Sequence, residues 1–446
     1  FVTAPASCPA GSTPTGGPLL TYLQGAGRTG PATDAAGASS IDNEEFALFA
    51  QDKWQIWSNF SLSYGLRWEA QIFPDPTVDP RDTAYGIFLN DPRFPSDGTL
   101  PDQKKMFQPR VGFAWDILKN AKSVLRASWG IYNARQNMLS QVGSITTNGV
   151  QQQTIFVSTD LIRQGFATGP TWPGLVTPSA QSCNGNPFPC FSGVRVFSRD
   201  YANPRIYTSN VAFEQELAPN IAVYFDFTYS KGVHLTRFLN FNRKLDSSGN
   251  PIFGDELGEV MVTSSPGKSL YRGFTVGLRK RFSNRFQLET NYVLAKDLDD
   301  DSNERDPFTD RAFDINNLSL DYALSDRDIR HKFNFYTYAE VGWGFQFSGR
   351  IQARSAQPIT PGVRTATNRN TDRKDNEYFS FDWRLLRPFR IGESLQITPI
   401  FEMFNTFNNN NNINPLTTPG LFNFDGFLRV GVGDPRQAQL AVKFIF

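Results

Sequence analysis

The chain has 446 residues and a nearly balanced charge, with 44 lysines and arginines against 43 aspartates and glutamates. This balance gives no electrostatic reason to expect nucleic acid as a partner. Two histidines argue against histidine-based metal or acid–base chemistry. Phenylalanine is abundant, with 40 residues, although the mean hydropathy is −0.38. Such a combination is typical of a chain that alternates apolar and polar residues one by one.

Residues 1–43 are predicted to be a loop or upstream connector on the extracellular side. Their opening stretch, "FVTAPASCPAGSTPTGG", lacks the basic and then apolar pattern of a signal peptide. The chain does not begin with Met, and it contains no run of 18 or more apolar residues, which predicts no transmembrane helix. We therefore expect a mature chain or a part of a longer one.

Period-two alternation begins beyond residue 43 and predicts β-strands with one apolar and one polar face. In 60–70, "FSLSYGLRWEA", the odd and even positions separate cleanly into these two faces. Thirteen such segments are close to the roughly 9–11 residues that a tilted strand needs to cross a bilayer. They are 44–56, 58–70, 107–117, 123–132, 206–217, 220–230, 270–282, 285–296, 331–341, 343–354, 377–388, 394–405 and 436–446.

The links between the segments alternate in length, and this alternation decides the fold class. Short links such as "WSN", "AP" and "GWG" alternate with long polar links such as 71–106 and 133–205. Short periplasmic turns and long extracellular loops are typical of outer-membrane barrels. A β-propeller would show a repeat of about 40–50 residues, and none is found. A β-sandwich would not sort its loops by length so regularly. The prediction is an all-β, transmembrane antiparallel outer-membrane β-barrel spanning 44–446.

The strand count predicts that this barrel is partial. Bacterial single-chain barrels have an even number of strands and begin on the inside, whereas thirteen strands here begin outside. Either strands precede residue 44, or one further strand lies in 133–205, where "QQQTIFVST" is a candidate. We expect about 13–14 strands of a larger barrel in contact with outer-membrane lipid.

Polar residues on the barrel strands are predicted to face the lumen, because a barrel interior is polar. The charged members of this set are Arg67, Glu69, Arg110, Glu214, Asp226, Arg350, Arg354, Arg384 and Glu402. The acidic run 297–306, "DLDDDSNERD", is interpreted as solvated surface, with a Ca²⁺ site as the alternative. The run 407–414, "FNNNNNIN", is predicted to be a turn-rich loop, with sugar binding as the alternative. His234 and His331 are predicted to have structural roles.

Three cysteines are present, Cys8, Cys183 and Cys190. The last two close the short loop "CNGNPFPC", which is compatible with a disulfide in an oxidising compartment. Two free thiols are the alternative, and Cys8 has no evident partner. No metal, cofactor or catalytic residue is predicted.

Several stretches, in order along the chain, resemble the barrel of TonB-dependent receptors, especially the Oar-like group. They are "FALFAQDKWQIWSNFSLSYGLRWE", "IYTSNVAFEQELAPNIAVYFDFTYSKGVHL", "YRGFTVGLRKRFSNRFQLETNYVLAKDLDD", "LSDRDIRHKFNFYTYAEV", "FEMFNTFNNNN" and "PRQAQLAVKFIF". The group's signatures fall on Gly232, His234 and Leu235, and on Ser325, Asp328, Arg330, His331 and Phe333. The resemblance covers about 44–446 and is specific through the combination of motifs.

The resemblance implies transport across the outer membrane of a Gram-negative bacterium. Members of the group are barrels of about 22 strands with a plugged lumen, and a TonB box near the N-terminus couples them to the TonB complex. Plug and box would lie upstream of this chain. An unknown extracellular ligand is expected to bind the long loops. The alternatives are a structural or adhesive surface protein and a passive porin.

The C-terminus resembles the signal that the barrel-assembly machinery reads. That signal has the order polar, x, Gly, x, x, apolar, x, aromatic. Gln439, Ala441, Phe444 and Phe446 fill these places, with Ala in place of Gly. The alternative interpretation is that Phe446 is simply a lipid-facing end residue.

Overall fold

Long antiparallel strands, each hydrogen-bonded to its neighbour in sequence, make up the wall of the protein in a computed structural model. The structure describes residues 21–26, 39–158, 179–183, 186–188, 193–254, 257–301, 310–361, 364–374, 376–411 and 435–446. The wall strands are β1 (Glu44–Trp57), β2 (Phe60–Ile72), β3 (Gln103–Asp116), β4 (Ser123–Asn133), β5 (Arg205–Ala218), β6 (Ile221–Asn240), β7 (Val260–Ser283), β8 (Phe286–Asp299), β9 (His331–Glu340), β10 (Gln346–Arg354), β11 (Tyr378–Leu386), β12 (Leu395–Phe404) and β13 (Gln437–Ile445). All thirteen predicted strands are confirmed.

The strands follow one another around the sheet in chain order, from β1 to β13. Among the described strands, β1 pairs only with β2 and β13 only with β12, so no ladder joins the two ends. The all-β, partial barrel predicted from the odd strand count is therefore confirmed.

The register brings apolar residues opposite one another on one face of the wall. Leu62 lies opposite Phe113, Phe227 lies opposite Phe274, and Phe401 lies opposite Leu440. Many of these side chains are exposed, because lipid rather than protein covers this face of an outer-membrane barrel.

The short turns have the backbone geometry that tight hairpins require. Asn284 and Arg285 both have positive φ, 50° and 70°, as a two-residue type I′ turn demands between β7 and β8. Asn220 follows Pro219 with φ of 69°, which suits the third position of a type II turn. Trp343, in the turn Gly342–Gly344, is 88% exposed, as expected for an aromatic residue at a membrane interface.

The strand candidate "QQQTIFVST" does form a strand, but not in the wall. Residues Gln153–Ser158 pair with Thr21–Ala26 in a separate two-stranded sheet. The candidate therefore does not supply the fourteenth barrel strand, and part of 1–43 is strand rather than loop. In this sheet, six residues of each segment lie opposite six residues of the other.

The remaining elements are short and lie in the long links. The helix Met138–Thr146 is capped by the Asn137 side chain, which accepts from the Ser140 amide. Short strands are Ser179–Cys183, Asn186–Phe188, Val194–Phe197, Ala323–Leu324 and Phe389–Ile391, and single 3₁₀ turns are Pro80–Asp82, Gly86–Phe88, Phe241–Arg243, Leu318–Asp321 and Gly342–Gly344. Within the described ranges, no helix combines the length and apolar character needed to span a membrane.

Two wall strands are far longer than a bilayer crossing requires. β6 has 20 residues and β7 has 24. Their joined ends continue past the rim, where Val194–Phe197 pairs in parallel with the start of β7. Residues at these ends, such as Leu239 and Val260, are buried. The protein's hydrophobic core therefore lies beyond the wall, among the long loops.

Candidate functional site

Charged residues on the inner face of the wall pair with one another across strands. Arg384 and Glu402 lie directly opposite in β11 and β12, with a nitrogen–oxygen distance of 2.6 Å. Arg350 and Asp382 repeat this arrangement one ladder earlier, at 3.0 Å. On the same face, Arg126 pairs with Glu214 across strands, whereas Arg67 pairs with Glu69 within β2. The predicted lumen-facing charges thus form a row of partly exposed ion pairs.

The other predicted lumen charges have polar or aromatic partners on the same face. The Arg110 guanidinium lies 4.4 Å from the centre of the Tyr132 ring. Asp226 accepts a hydrogen bond from the Asn210 side chain at 2.8 Å. Arg354 donates to the Gln357 side chain at 3.2 Å.

Beyond the rim, the long loops pack into a separate body that we call the extracellular cap. It comprises the described parts of 73–102, 134–204, 241–259, 300–330 and 355–377, with the joined ends of β6 and β7. Its main core contains Tyr85, Phe94, Val194, Val196, Phe253, Leu257, Val260 and Val262. The cap is therefore a folded platform with its own core.

Buried ion pairs connect the loops of the cap. Asp321 is fully buried and accepts from Arg237 at 2.8 Å, and Arg364 forms a second ion pair with it. The backbone amide of Phe313 donates to the same carboxylate at 3.0 Å. One carboxylate thus receives donors from the β6 extension, from its own loop and from the 355–377 loop.

The described part of the acidic run, 297–301, contributes to these buried contacts, which corrects its interpretation as solvated surface. Asp299 and Asp300 are buried. Asp299 pairs with Arg369 at 2.6 Å, and the Asp300 carboxylate accepts from the Lys268 amide at 2.8 Å. Arginines outside the run pair with Asp299 and Asp301, so the local composition alone is misleading. No cluster of potential metal ligands occurs among the described residues.

A charged pocket of about 490 Å³ opens between the cap loops. Three arginines line it, Arg243, Arg311 and Arg364, together with Glu259 and Asp310. Arg243 donates to Asp310 at 2.8 Å and to the Ala312 carbonyl at 2.9 Å. Arg364 donates to the Arg311 carbonyl at 2.7 Å. The pocket is therefore built from side chains that other residues already hold in place.

Glu259 is an acidic group of this pocket whose pKa is shifted. Burial raises the pKa of its carboxyl above the ordinary 4.5, and Asp310 acts in the same direction, while Arg195 and Arg243 oppose the rise.

A family model described as outer membrane beta barrel domain matches residues 3–377, well over half of the chain. The chain belongs to this outer membrane beta-barrel family. Its location is therefore the outer membrane of a Gram-negative bacterium. The prediction that the chain is not an enzyme agrees with the assignment. No curated protein sequence matches the chain at a significant level.

Two solved structures of outer-membrane transporters share the fold of this barrel domain. The transporter YddB from Escherichia coli aligns with a TM-score of 0.55 and 12% identity, covering 90% of this chain and 45% of that one. The iron transporter FrpB from Neisseria meningitidis aligns with a TM-score of 0.50 and 11% identity, covering 91% and 46%. The barrel domain thus spans less than half of the length of these proteins.

The residues of the predicted assembly signal all lie at the free edge of the barrel domain. Gln439 lies opposite Glu402, Ala441 opposite Ile400, and Phe444 opposite Ile397. Phe446 follows the end of β13 and is 94% exposed. The arrangement keeps Phe444 and Phe446 on the apolar face, and the signal itself stays a prediction.

Asparagines of the 407–414 run are used to build their own loop as far as it is described. Asn408 and Asn411 have positive φ, 55° and 44°, as expected for a turn-rich segment. The Asn411 side chain accepts from the Phe379 amide at 2.8 Å, and the Asn408 side chain accepts from the Arg436 amide at 3.0 Å. The side chains of Asn408 and Asn411 therefore accept hydrogen bonds from backbone amides at strand ends of the barrel domain.

The two histidines have the local geometry of structural residues. His234 adopts φ of 56° at the register shift between Gly232 and Leu235, where β6 bends out of the wall. His331 stacks on Tyr292, and its Nδ1 lies 2.7 Å from the tyrosine hydroxyl. Cys8 and Cys190 lie outside the described residues. The disulfide between Cys183 and Cys190 therefore stays a prediction.

Sequence reasoning missed the arginines of the cap. The stretch "RTATNRNTDRKD", 364–375, carries three of them, Arg364, Arg369 and Arg373. Arg373 pairs with Asp328, a residue of the Ser–x–x–Asp–x–Arg–His signature. A basic loop that follows an acidic loop is the signal that indicates such pairing.

Proposed function

We propose that the chain is the barrel of a TonB-dependent receptor of the Oar-like group. The receptor binds a ligand at the extracellular cap and admits it through a lumen that a plug controls. The TonB complex supplies the energy through a box upstream of the plug. The observation that carries the proposal is the folded cap with a charged pocket, built on the joined ends of β6 and β7.

The combination of cap and wall supports uptake more than adhesion or passive passage. A passive porin needs an open mouth, whereas here several loops pack into a body with a buried core. The fold shared with the transporters YddB and FrpB adds support at the level of architecture.

To test this proposal, the native protein is purified from the outer membrane, and its intact mass and N-terminal sequence are determined. The purified protein is then cross-linked to the periplasmic domain of TonB. A plug, a TonB box and a specific cross-link are the expected results. A native protein that has neither plug nor box, and that conducts ions steadily in planar bilayers, would make the passive porin the better account.

A further inference from the structure

The three arginines that line the pocket between the cap loops differ in how closely they are paired with carboxylates. Arg243 is held by Asp310, and Arg364 is held by the buried Asp321. Arg311 has a much weaker partner, since its ion pair with Asp301 spans 3.8 Å. That distance is beyond hydrogen-bonding range. Arg311 is therefore the least neutralised of the three arginines that line the pocket.

Burial makes the weak pairing of Arg311 costly. Its side chain is 16% exposed, and its Nε is buried without a hydrogen-bond partner. A buried polar group without a partner costs free energy. The Nε of Arg364 is in the same condition. Both guanidinium groups are thus incompletely hydrogen-bonded, and both residues line the pocket.

We propose that the pocket lined by Arg243, Arg311 and Arg364 binds an oxyanion group, a carboxylate or a phosphate, of an extracellular ligand. A guanidinium presents donors in a planar fork that matches such groups and pairs with them in bidentate fashion. Arg243 and Arg364 are already fixed by their own acids, so binding requires little reorganisation of these two side chains. The inference rests on the proposed function, because it names the chemistry of the ligand that the receptor recognises.

The other groups of the pocket agree with this assignment. Asp310, one of the pocket's two acidic groups, is already paired with Arg243 at 2.8 Å. The ring of Phe313 forms an apolar side of the pocket and lies 5.9 Å from the Arg364 guanidinium. The pocket therefore offers cationic donors beside an apolar surface.

The test measures binding of citrate and of inorganic phosphate to the purified full-length protein by calorimetry, with sodium chloride at matched ionic strength as reference. We expect saturable binding of at least one anion, and the preferred anion identifies the carboxylate or the phosphate as the recognised group. Arg311→Gln is expected to weaken that binding by about tenfold or more, since a hydrogen bond to a charged group is lost. Arg81→Gln is the matched control, because Arg81 is 82% exposed and pairs only locally with Asp79.

A second measurement needs no variant and remains informative if Arg311→Gln fails to fold. Phenylglyoxal modifies accessible arginines, and peptide mapping reports each site. We expect the bound anion to protect the pocket residue Arg243, whose side chain is 40% exposed, while Arg81 stays reactive. The absence of saturable binding for both anions, or equal weakening by Arg311→Gln and Arg81→Gln, would overturn the proposal.

The outcomes also separate this inference from the proposed function. Anion binding that depends on Arg311, in a protein that does not cross-link to TonB, would support the pocket and refute the receptor. A receptor that cross-links to TonB but does not bind either anion would support the receptor and refute the pocket.

Discussion

The wall and the extracellular cap use the same residue types for opposite purposes. Phe107 in β3 is 52% exposed, whereas Phe94 in the cap is 1% exposed. Arg384 in the wall is half exposed beside Glu402, whereas Arg237 and Asp321 in the cap are buried almost completely. Lipid covers the apolar side chains of the wall, whereas the cap buries its apolar side chains in its own core. The comparison teaches that one sequence can carry two stabilising schemes, each suited to its surroundings.

The largest expected effect is on the amount of barrel that assembles in the outer membrane. If Phe446 belongs to an assembly signal, Phe446→Leu will lower the amount of protein in the outer membrane several-fold, because the signal requires an aromatic end. Phe446→Tyr is the control that keeps the aromatic ring. Heat-modifiable mobility on gels of outer-membrane fractions measures the folded amount. Normal assembly of Phe446→Leu would favour the simpler interpretation, a lipid-facing end residue.

Within the cap, Asp321→Asn is expected to cost roughly 3–5 kcal/mol, the typical penalty for leaving a buried charge without its partner. Arg237 would remain buried and Arg364 would lose its acceptor. Hydrogen exchange of the cap amides measures the loss. The wall control is Arg384→Gln, where a partly exposed pair is worth at most about 1 kcal/mol. Similar losses at both sites would contradict the contrast between cap and wall.

On the lipid face, Phe347→Arg is expected to destabilise the wall by about 2–4 kcal/mol if the residue lies near the middle of the membrane. Phe347 lies opposite Leu385 and stacks on Trp383 with ring centres 6.4 Å apart. Equilibrium unfolding in lipid vesicles measures the effect. Gln352→Arg, on the opposite face of the same strand, should change the free energy of unfolding little. An unchanged stability of Phe347→Arg would reverse the facing assignment.

The smallest effect is the pH dependence contributed by Glu259. Its pKa is raised in the folded protein, so the native state holds the proton more tightly than the unfolded state. The contribution is fully present below the ordinary value of 4.5 and is lost as the pH rises through the folded pKa. Glu259→Gln should remove this decline of cap stability, as followed by hydrogen exchange between pH 4 and pH 8. An identical pH profile in both proteins would show that Glu259 is not the source.

The wall could be predicted from the sequence because each strand carries its own evidence. Alternation within 60–70 identifies both faces of β2 without knowledge of any other segment. The prediction stopped too early in β6, at residue 230 instead of Asn240. Beyond the rim, protein covers both faces of that strand, so polar and apolar residues no longer alternate.

The cap could not be predicted because its contacts join distant residues without a period. Arg237 and Asp321 are 84 positions apart. Asp299 belongs to a run that looks solvated until Arg369 is brought beside it. The pocket arginines come from three loops, and only the fold brings those loops together. A single sequence records the charges but not which of them meet.

The 24-residue strand β7 has a mechanical consequence. At roughly 3.4 Å per residue it is about 80 Å long if straight, far more than the roughly 30 Å of hydrocarbon in a bilayer. One covalent and hydrogen-bonded rod thus runs from the core of the cap to the periplasmic rim. Slippage by one residue would turn every side chain to the wrong face, so the rod resists sliding. A ligand that pulls or tilts the cap therefore acts directly on strands of the wall, and the register shifts between Gly232 and Arg237 are where the β6–β7 ladder can bend.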